Sequence, residues 1–229
     1  MEYPHNRPYT ADDLVRIITL LRDPVNGCPW DKVQTHTSIR MNFLEEAYEA
    51  VDALDLDDPV LMCEELGDVL MQVAFHTCME QETGRFTWEQ VCDGVCQKLI
   101  ERHPNIFGTQ PGYEGITDWD ALKNKEKGRR TLADDLESVP RAMPALMHAA
   151  KLQKRAARHG AALQGADAAA LADAAENLQT AQPASAQAEQ AVGELLFAAA
   201  NLARQAGVDP EQALQKANEA FCTAAGPVA

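Results

Sequence analysis

The stretch LEEAYEAVDALDLDDPVLMCEELGDVL, from Leu44 to Leu70, decides how this chain folds and raises the first question about what it does. Its apolar residues recur at helical spacing on both sides of Asp57-Asp58-Pro59. A proline placed just after an acidic pair suits the first turn of a new helix. The joint is short, so the two helices pair antiparallel. Glu46 and Glu49 are three apart and share a helix face, as do Glu65 and Asp68. The pairs Glu46–Asp68 and Glu49–Glu65 are both centred on position 57, so each lies at one level of the hairpin. Four carboxylates thus converge between two helices, with Glu45 alongside.

Like charges so arranged repel. Raised pKa values or bound cations can relieve the repulsion. Oxygen-only donors suit hard ions, Mg²⁺ or Mn²⁺. A third reading is a solvated acidic stripe, which fits Glu45 well. It fits Asp68 poorly, because Val69, Leu70, Met71, Val73, Ala74 and Phe75 follow on a helix apolar almost all round. A di-iron bundle wants Glu-x-x-His on facing helices. The one such spacing, Glu2 to His5, is broken by Pro4 and lies outside the hairpin.

Outward from the hairpin, the chain reads as all-α, with no sustained alternation of β-branched residues. Thr10 caps a helix through Leu21, with Asp12 and Asp13 in its first turn. Asn26-Gly27-Cys28-Pro29-Trp30-Asp31-Lys32 is a breaker-rich loop. Helices are expected from about Ser38 to Asp55, Val60 to Glu82, Trp88 to Arg102 and Trp119 to Lys127, with a loop from Ile106 to Thr117. Arg129 to Pro140 reads as a polar joint and the domain boundary, giving domains 1–135 and 136–229. A helix from Arg141 carries a basic face of Lys151, Lys154, Arg155 and Arg158, for which a solvated charged surface is the plain alternative. An alanine-rich tail follows, with helices from about Ala186 to Ala206 and Pro210 to Ala224.

The tail repeats the front. Gly67-Asp68-Val69-Leu70-Met71 matches Gly193-Glu194-Leu195-Leu196-Phe197, and Trp88-Glu89-Gln90-Val91 resembles Pro210-Glu211-Gln212-Ala213. The second copy keeps fewer acids. Ala191 stands at the position of Glu65, and Ala172 to Gln179 offers Asp173 and Glu176 in place of a triple acid.

The totals narrow the function classes. A net charge of −15 over 229 residues argues against general nucleic-acid binding. No run of about 18 apolar residues appears, so no membrane span is expected. The N-terminal MEYPHNRPYTADD lacks a basic start and an apolar stretch, and a cytoplasmic protein is expected. The six cysteines form no CxxC pair, so a zinc site is not expected. Cys92 and Cys96, one turn apart, read as small reduced residues on a helix.

The motif E-E-x-x-E at Glu45, Glu46 and Glu49, followed by E-x-x-D at Glu65 and Asp68, resembles the signature of the MazG nucleoside triphosphate pyrophosphohydrolases of the all-α pyrophosphatase superfamily. LLRDPVNGCPWDKVQT, EELGDVLMQVAFH, KLIERHPNIFG, WDALKNKEK and PALMHAAKLQKRAAR are similar to family segments in the same order. The resemblance implies two tandem MazG-like helical-bundle units, here with the second degenerate, and a homodimer. It implies Mg²⁺-dependent hydrolysis of nucleoside triphosphates (NTP or dNTP) to monophosphate and pyrophosphate, in the service of cleaning the nucleotide pool. Carried over by motif position, Glu46, Glu49, Glu65 and Asp68 would ligate metal, and Glu45 would orient water. Lys98 and Arg102 would meet the phosphates. Trp119, Lys123 and Lys127 would close the nucleotide side, and Trp30 and Lys32 would be looser contacts. Core packing is the alternative for both tryptophans. No Gly-rich phosphate loop is present, so motor ATPase chemistry is not suggested. The rival functional reading is a catalytically weak helical dimer that binds a nucleotide or a protein as a regulator. A narrower activity, on dUTP or a phosphoribosyl nucleotide, is a third.

Overall fold

A computed structural model describes residues 3–5, 7–108 and 119–226, without the side chains of 119–121 and 125. The expected loop from Ile106 to Thr117 falls mostly outside the described residues, as does Glu2. Ten α-helices are present and no strand occurs among the described residues. None of the helices is long and apolar enough to cross a membrane. The chain divides into two compact units, residues 1–116 and 117–229.

In the first unit, α1 (Ala11–Leu21) starts at a capping box between Thr10 and Asp13. A breaker-rich loop and a short 3₁₀ turn, Asp31–Val33, lead to α2 (His36–Asp55), which begins at a second capping box, Thr35 with Ser38. Gly27 packs where a Cβ would lie 2.4 Å from the carbonyls of Leu21 and Asp23, so only glycine fits this turn. After α2 the chain turns through Asp57, which holds a positive φ of 53°. Asp58 then caps α3 (Pro59–Glu82), its side chain accepting from the amides of Val60 and Leu61. A third capping box, Thr87 with Gln90, starts α4 (Trp88–Arg102). Helix α3 is the hub, packing against α1, α2 and α4.

Ile18, Ile39, Ala74, Phe75, Cys78, Met79 and Trp88 form the core of this unit. These residues come from α1, α2, the C-terminal half of α3 and the start of α4. The acidic half of the α2–α3 hairpin therefore lies beyond the core. There Tyr48, Val51, Leu54, Leu66 and Leu70 stay exposed or nearly so. A helix apolar almost all round cannot cover every face within one small unit.

Polar ties reinforce the core end. Arg22, buried between α1 and α3, donates to both carboxylate oxygens of Glu82 at 2.6 and 2.8 Å. It also donates to the carbonyls of Asp31 and Gln34, which pins the loop. Buried Glu80 accepts from Arg85 Nη2 at 2.8 Å, and its Oε1 lies 2.5 Å from His36 Nε2. His36 in turn meets His76 through their Nδ1 atoms at 2.7 Å.

In the second unit, α5 (Trp119–Glu126) and α6 (Leu132–Glu137) precede α7 (Ala145–Arg158), α8 (Ala168–Thr180), α9 (Ala186–Gln205) and α10 (Pro210–Ala225). The stretch from Arg129 to Pro140, expected as a plain joint, contains α6, which packs on α7 inside this unit. Helix α9 packs against α7, α8 and α10. That is the pattern by which α3 meets α1, α2 and α4. The buried apolar residues here are Val139 and alanines, among them Ala156, Ala174, Ala191, Ala198 and Ala200. Small side chains bury little area each, at about 0.8 kcal/mol per methylene-sized group. Buried amides add directional ties: Gln153 donates to the Phe197 carbonyl at 2.7 Å, and Asn201 to that of Ala166 at 2.6 Å.

Candidate active site

The acids of the α2–α3 hairpin meet as a consequence of its turn. With Asp58 capping α3 and Asp57 reversing the chain, Glu46 and Glu49 on α2 face Glu65 on α3. One carboxylate oxygen from each of these three lies within 4.8 Å of the other two, and no other trio of His, Cys, Asp or Glu ligand atoms does so among the described residues. Glu46 and Glu65 are half-buried and Glu49 is exposed. Asp68, half-buried, stands outside the trio but close enough to act on it. Burial pushes the Glu46 carboxyl above its ordinary range, and the charges of Asp68 and Glu49 push the same way against a hydrogen bond from Gln72. Burial, then the charges of Asp68, Glu64 and Glu46, likewise raise Glu65.

Gln72 was not among the residues singled out from sequence. It sits one turn beyond Asp68, is buried, and donates from Nε2 to Glu46 Oε1 at 3.3 Å. Its own Oε1 is buried without a hydrogen-bond partner. The signal was available, since Gln72 is the lone amide in the apolar run Val69 to Phe75.

Glu45 is exposed on α2 and outside the trio. Lys98 is exposed on α4 and makes no ion pair among the described residues, while Arg102, in the last turn, is half-buried. Trp30 is 56% exposed, so the first unit does not use it as core. Lys32, half-buried, reaches the Pro24 carbonyl at 3.5 Å. Trp119, Lys123 and Lys127 fall in the second unit. Trp119 opens α5 with its side chain outside the described set, and Lys123 and Lys127 are exposed.

The equivalent hairpin of the second unit, α8–α9, has a cavity of about 650 Å³ whose lining includes Asp173 and Glu194. No carboxylate trio forms there among the described residues. Glu194 instead accepts from Gln190, one turn earlier on the same helix, at 2.8 Å.

The chain is thus all-α among the described residues, with carboxylates gathered on one antiparallel helical hairpin. The MazG nucleotide pyrophosphohydrolase domain matches residues 34–107, which span α2, α3 and α4. The chain is 41% identical to the nucleoside triphosphate pyrophosphohydrolase of Escherichia coli strain K12, over 92% of this chain and 83% of that protein. It is 39% identical to the nucleoside triphosphate pyrophosphohydrolase/pyrophosphatase MazG of Thermotoga maritima, over 92% and 82%. A Mycobacterium tuberculosis nucleoside triphosphate pyrophosphohydrolase is 34% identical over 66% of this chain and 46% of its own length. The chain belongs to the MazG family.

Proposed function

We propose that the chain hydrolyses nucleoside triphosphates to nucleoside monophosphate and pyrophosphate at the α2–α3 hairpin of its first unit, with Mg²⁺, as a cleaner of the nucleotide pool. The carboxylate trio of Glu46, Glu49 and Glu65, with Asp68 beside it, carries this reading. The donor set fits a hard divalent cation. It is all oxygen, it comes from two facing helices, and burial together with the neighbouring acids already lifts two carboxyl pKa values, a cost that a cation would offset. Glu46, Glu49, Glu65 and Asp68 would hold the ion; Mn²⁺ suits the same donors. The bound ion would supply positive charge against the phosphates and make water a better nucleophile.

The chain's own residues do the rest. Gln72 fixes the Glu46 carboxylate by its hydrogen bond and leaves the other oxygen for a ligand. Glu45, exposed on α2 and outside the trio, is proposed to orient a water, and a carboxylate of the site to accept its proton. Lys98 and Arg102, one turn apart on α4, bring cations for the phosphates and for charge growing on the pyrophosphate leaving group. Trp30, Lys32, Trp119, Lys123 and Lys127 are proposed contacts to the nucleotide. No covalent nucleophile is needed.

The second unit is a degenerate copy in this reading. The support is its matching pattern of helix pairings and the lack of a carboxylate trio in α8–α9 among the described residues. A homodimer is the proposed assembly. The exposed Tyr48, Val51, Leu54, Leu66 and Leu70 beside the acids support it. A cytoplasmic location, and no membrane or nucleic-acid partner, complete the proposal.

The test is pyrophosphate release from a panel of eight NTPs and dNTPs, with Mg²⁺ and with chelator. Release that requires the metal and is lost in Glu49→Gln supports it. Nucleotide binding without turnover would favour a regulator instead, and turnover of a single nucleotide would favour a narrower activity.

A further inference from the structure

The second unit, in which no carboxylate trio forms among the described residues, gathers the opposite charge at another place. Helix α7, the C-terminal end of α9 and the α9–α10 turn line an open cavity of about 570 Å³. That is the size of an ordinary small-ligand pocket, roughly 300–1,000 Å³. Lys151, Lys154, Arg155 and Arg204 line it, against a single acid, Asp209. The charges are not mutually cancelled. Arg155 is spoken for, paired with buried Asp135 at 3.0 Å. Asp209 spends Oδ1 on capping α10, accepting from the amides of Glu211 and Gln212. Lys151 and Lys154 make no ion pair among the described residues, and Arg204 bonds through Nε only to the neutral amide of Asn201 at 3.0 Å. Asn201 is itself buried and tied to the Ala166 carbonyl, so Arg204 is held in place.

A chain of net charge −15 has ample acid to neutralise three cations on its surface, yet Asp209, occupied in capping α10, is the one acid that lines this cavity. Met143, Met147 and Val208 also line the cavity, the last two exposed. Cations and exposed apolar side chains lining one cavity match a ligand that carries both phosphates and an apolar ring.

We propose that this cavity is a second nucleotide site, metal-independent and distinct from the carboxylate hairpin, that binds a nucleoside di- or triphosphate with its phosphates on Lys151, Lys154 and Arg204. The proposal does not depend on turnover at the first unit.

The experiment is calorimetric titration of the full chain with α,β-methylene-ATP and, separately, inorganic pyrophosphate, in EDTA at low ionic strength. Saturable binding of the nucleotide is expected. It should weaken about tenfold or more in Lys151→Gln/Lys154→Gln/Arg204→Gln, weaken with added salt, and survive in Lys98→Gln/Arg102→Gln. Lys154 is exposed, so the single Lys154→Gln, expected to weaken binding severalfold, decides the matter if the triple variant fails to fold. The proposal is overturned by no saturation up to about 1 mM, by unchanged binding in the cavity variants, or by loss of binding in Lys98→Gln/Arg102→Gln. Pyrophosphate bound as tightly as the nucleotide would overturn the assignment of the ligand.

Discussion

Gln72 and Glu46 are joined across the α2–α3 hairpin by a 3.3 Å hydrogen bond, the amide donating to the one half-buried acid on α2 that belongs to the carboxylate trio. That bond is among the influences holding the Glu46 pKa down, against burial and two neighbouring charges. Gln72→Leu removes it at similar size. Glu46 should then hold its proton to higher pH, and Mg²⁺ should bind roughly 10-fold more weakly, in the range seen when support to a metal ligand is lost. Titration of Mg²⁺ dependence in the variant checks this; an unchanged Mg²⁺ requirement would sink the role assigned to Gln72.

The two hairpins should respond differently to loss of an acid. Asp68→Asn and Glu65→Gln are expected to reduce kcat/KM by about 100-fold or more, as removal of a group that positions charge in the reaction does. Glu194→Gln in α9 should leave turnover within about twofold, since no trio surrounds it. Equal losses in both hairpins would refute the placement of chemistry in the first unit.

Metal and pH should be linked. Glu46 and Glu65 have folded pKa values above their ordinary 4.5. An acid raised on folding binds its proton more readily in the folded state, so its ionisation costs stability as pH rises from that value through the raised one. The metal-free chain should therefore gain from these two groups on acidification towards pH 4.5. Mg²⁺, which binds the ionised acids, should raise Tm more at pH 7.5 than at pH 5. A Tm increment independent of pH would count against metal at this hairpin.

Asp135 carries the opposite sign in the second unit. It is 1% exposed. Burial alone would raise its pKa, but hydrogen bonds from Asn124 and His159 and the charges of Arg155 and Arg158 outweigh it, and the net shift is down from 3.8. The stability it lends is present above its unfolded pKa and is lost as pH falls through the lower folded value. Asp135→Asn leaves Arg155 buried beside a neutral group and should cost roughly 3–5 kcal/mol. Chemical denaturation, with the two units followed separately, measures the loss; a change under about 1 kcal/mol would mean that Arg155 finds another partner.

Gly67 offers a test of assembly. With nothing within 4 Å of an added Cβ, Gly67→Ala should favour an isolated α3 by up to about 1 kcal/mol. If a second copy packs there, the same methyl obstructs it. Sedimentation of Gly67→Ala and of Leu66→Glu should show weaker dimers than the parent. A parent that sediments as a monomer would remove the premise.

Much of the fold was legible because its signals are local. Thr10, Thr35, Asp58 and Thr87 begin helices by capping with neighbours two or three residues away. Helix α6 was not legible. It is six residues long and sits in a polar stretch. Its anchor, Asp135 on Arg155, joins groups twenty positions apart. At the site, spacing alone placed Glu46 and Glu49 opposite Glu65. It did not show Asp68 standing outside the trio, nor Gln72 bonded to Glu46. Those depend on side-chain direction and depth. The network of Glu80 with His36 and Arg85 was equally hidden, since nothing in the residues near His36 points to a carboxylate over forty positions away.

The sequential pairing of helices has a kinetic consequence. α2 folds back on α3, and α8 on α9, across turns of a few residues, so much of each unit's packing closes short loops. Low contact order of this kind favours folding in microseconds to milliseconds. The carboxylate hairpin spans only residues 46 to 68, so it can assemble on a nascent chain before α9 has been synthesised.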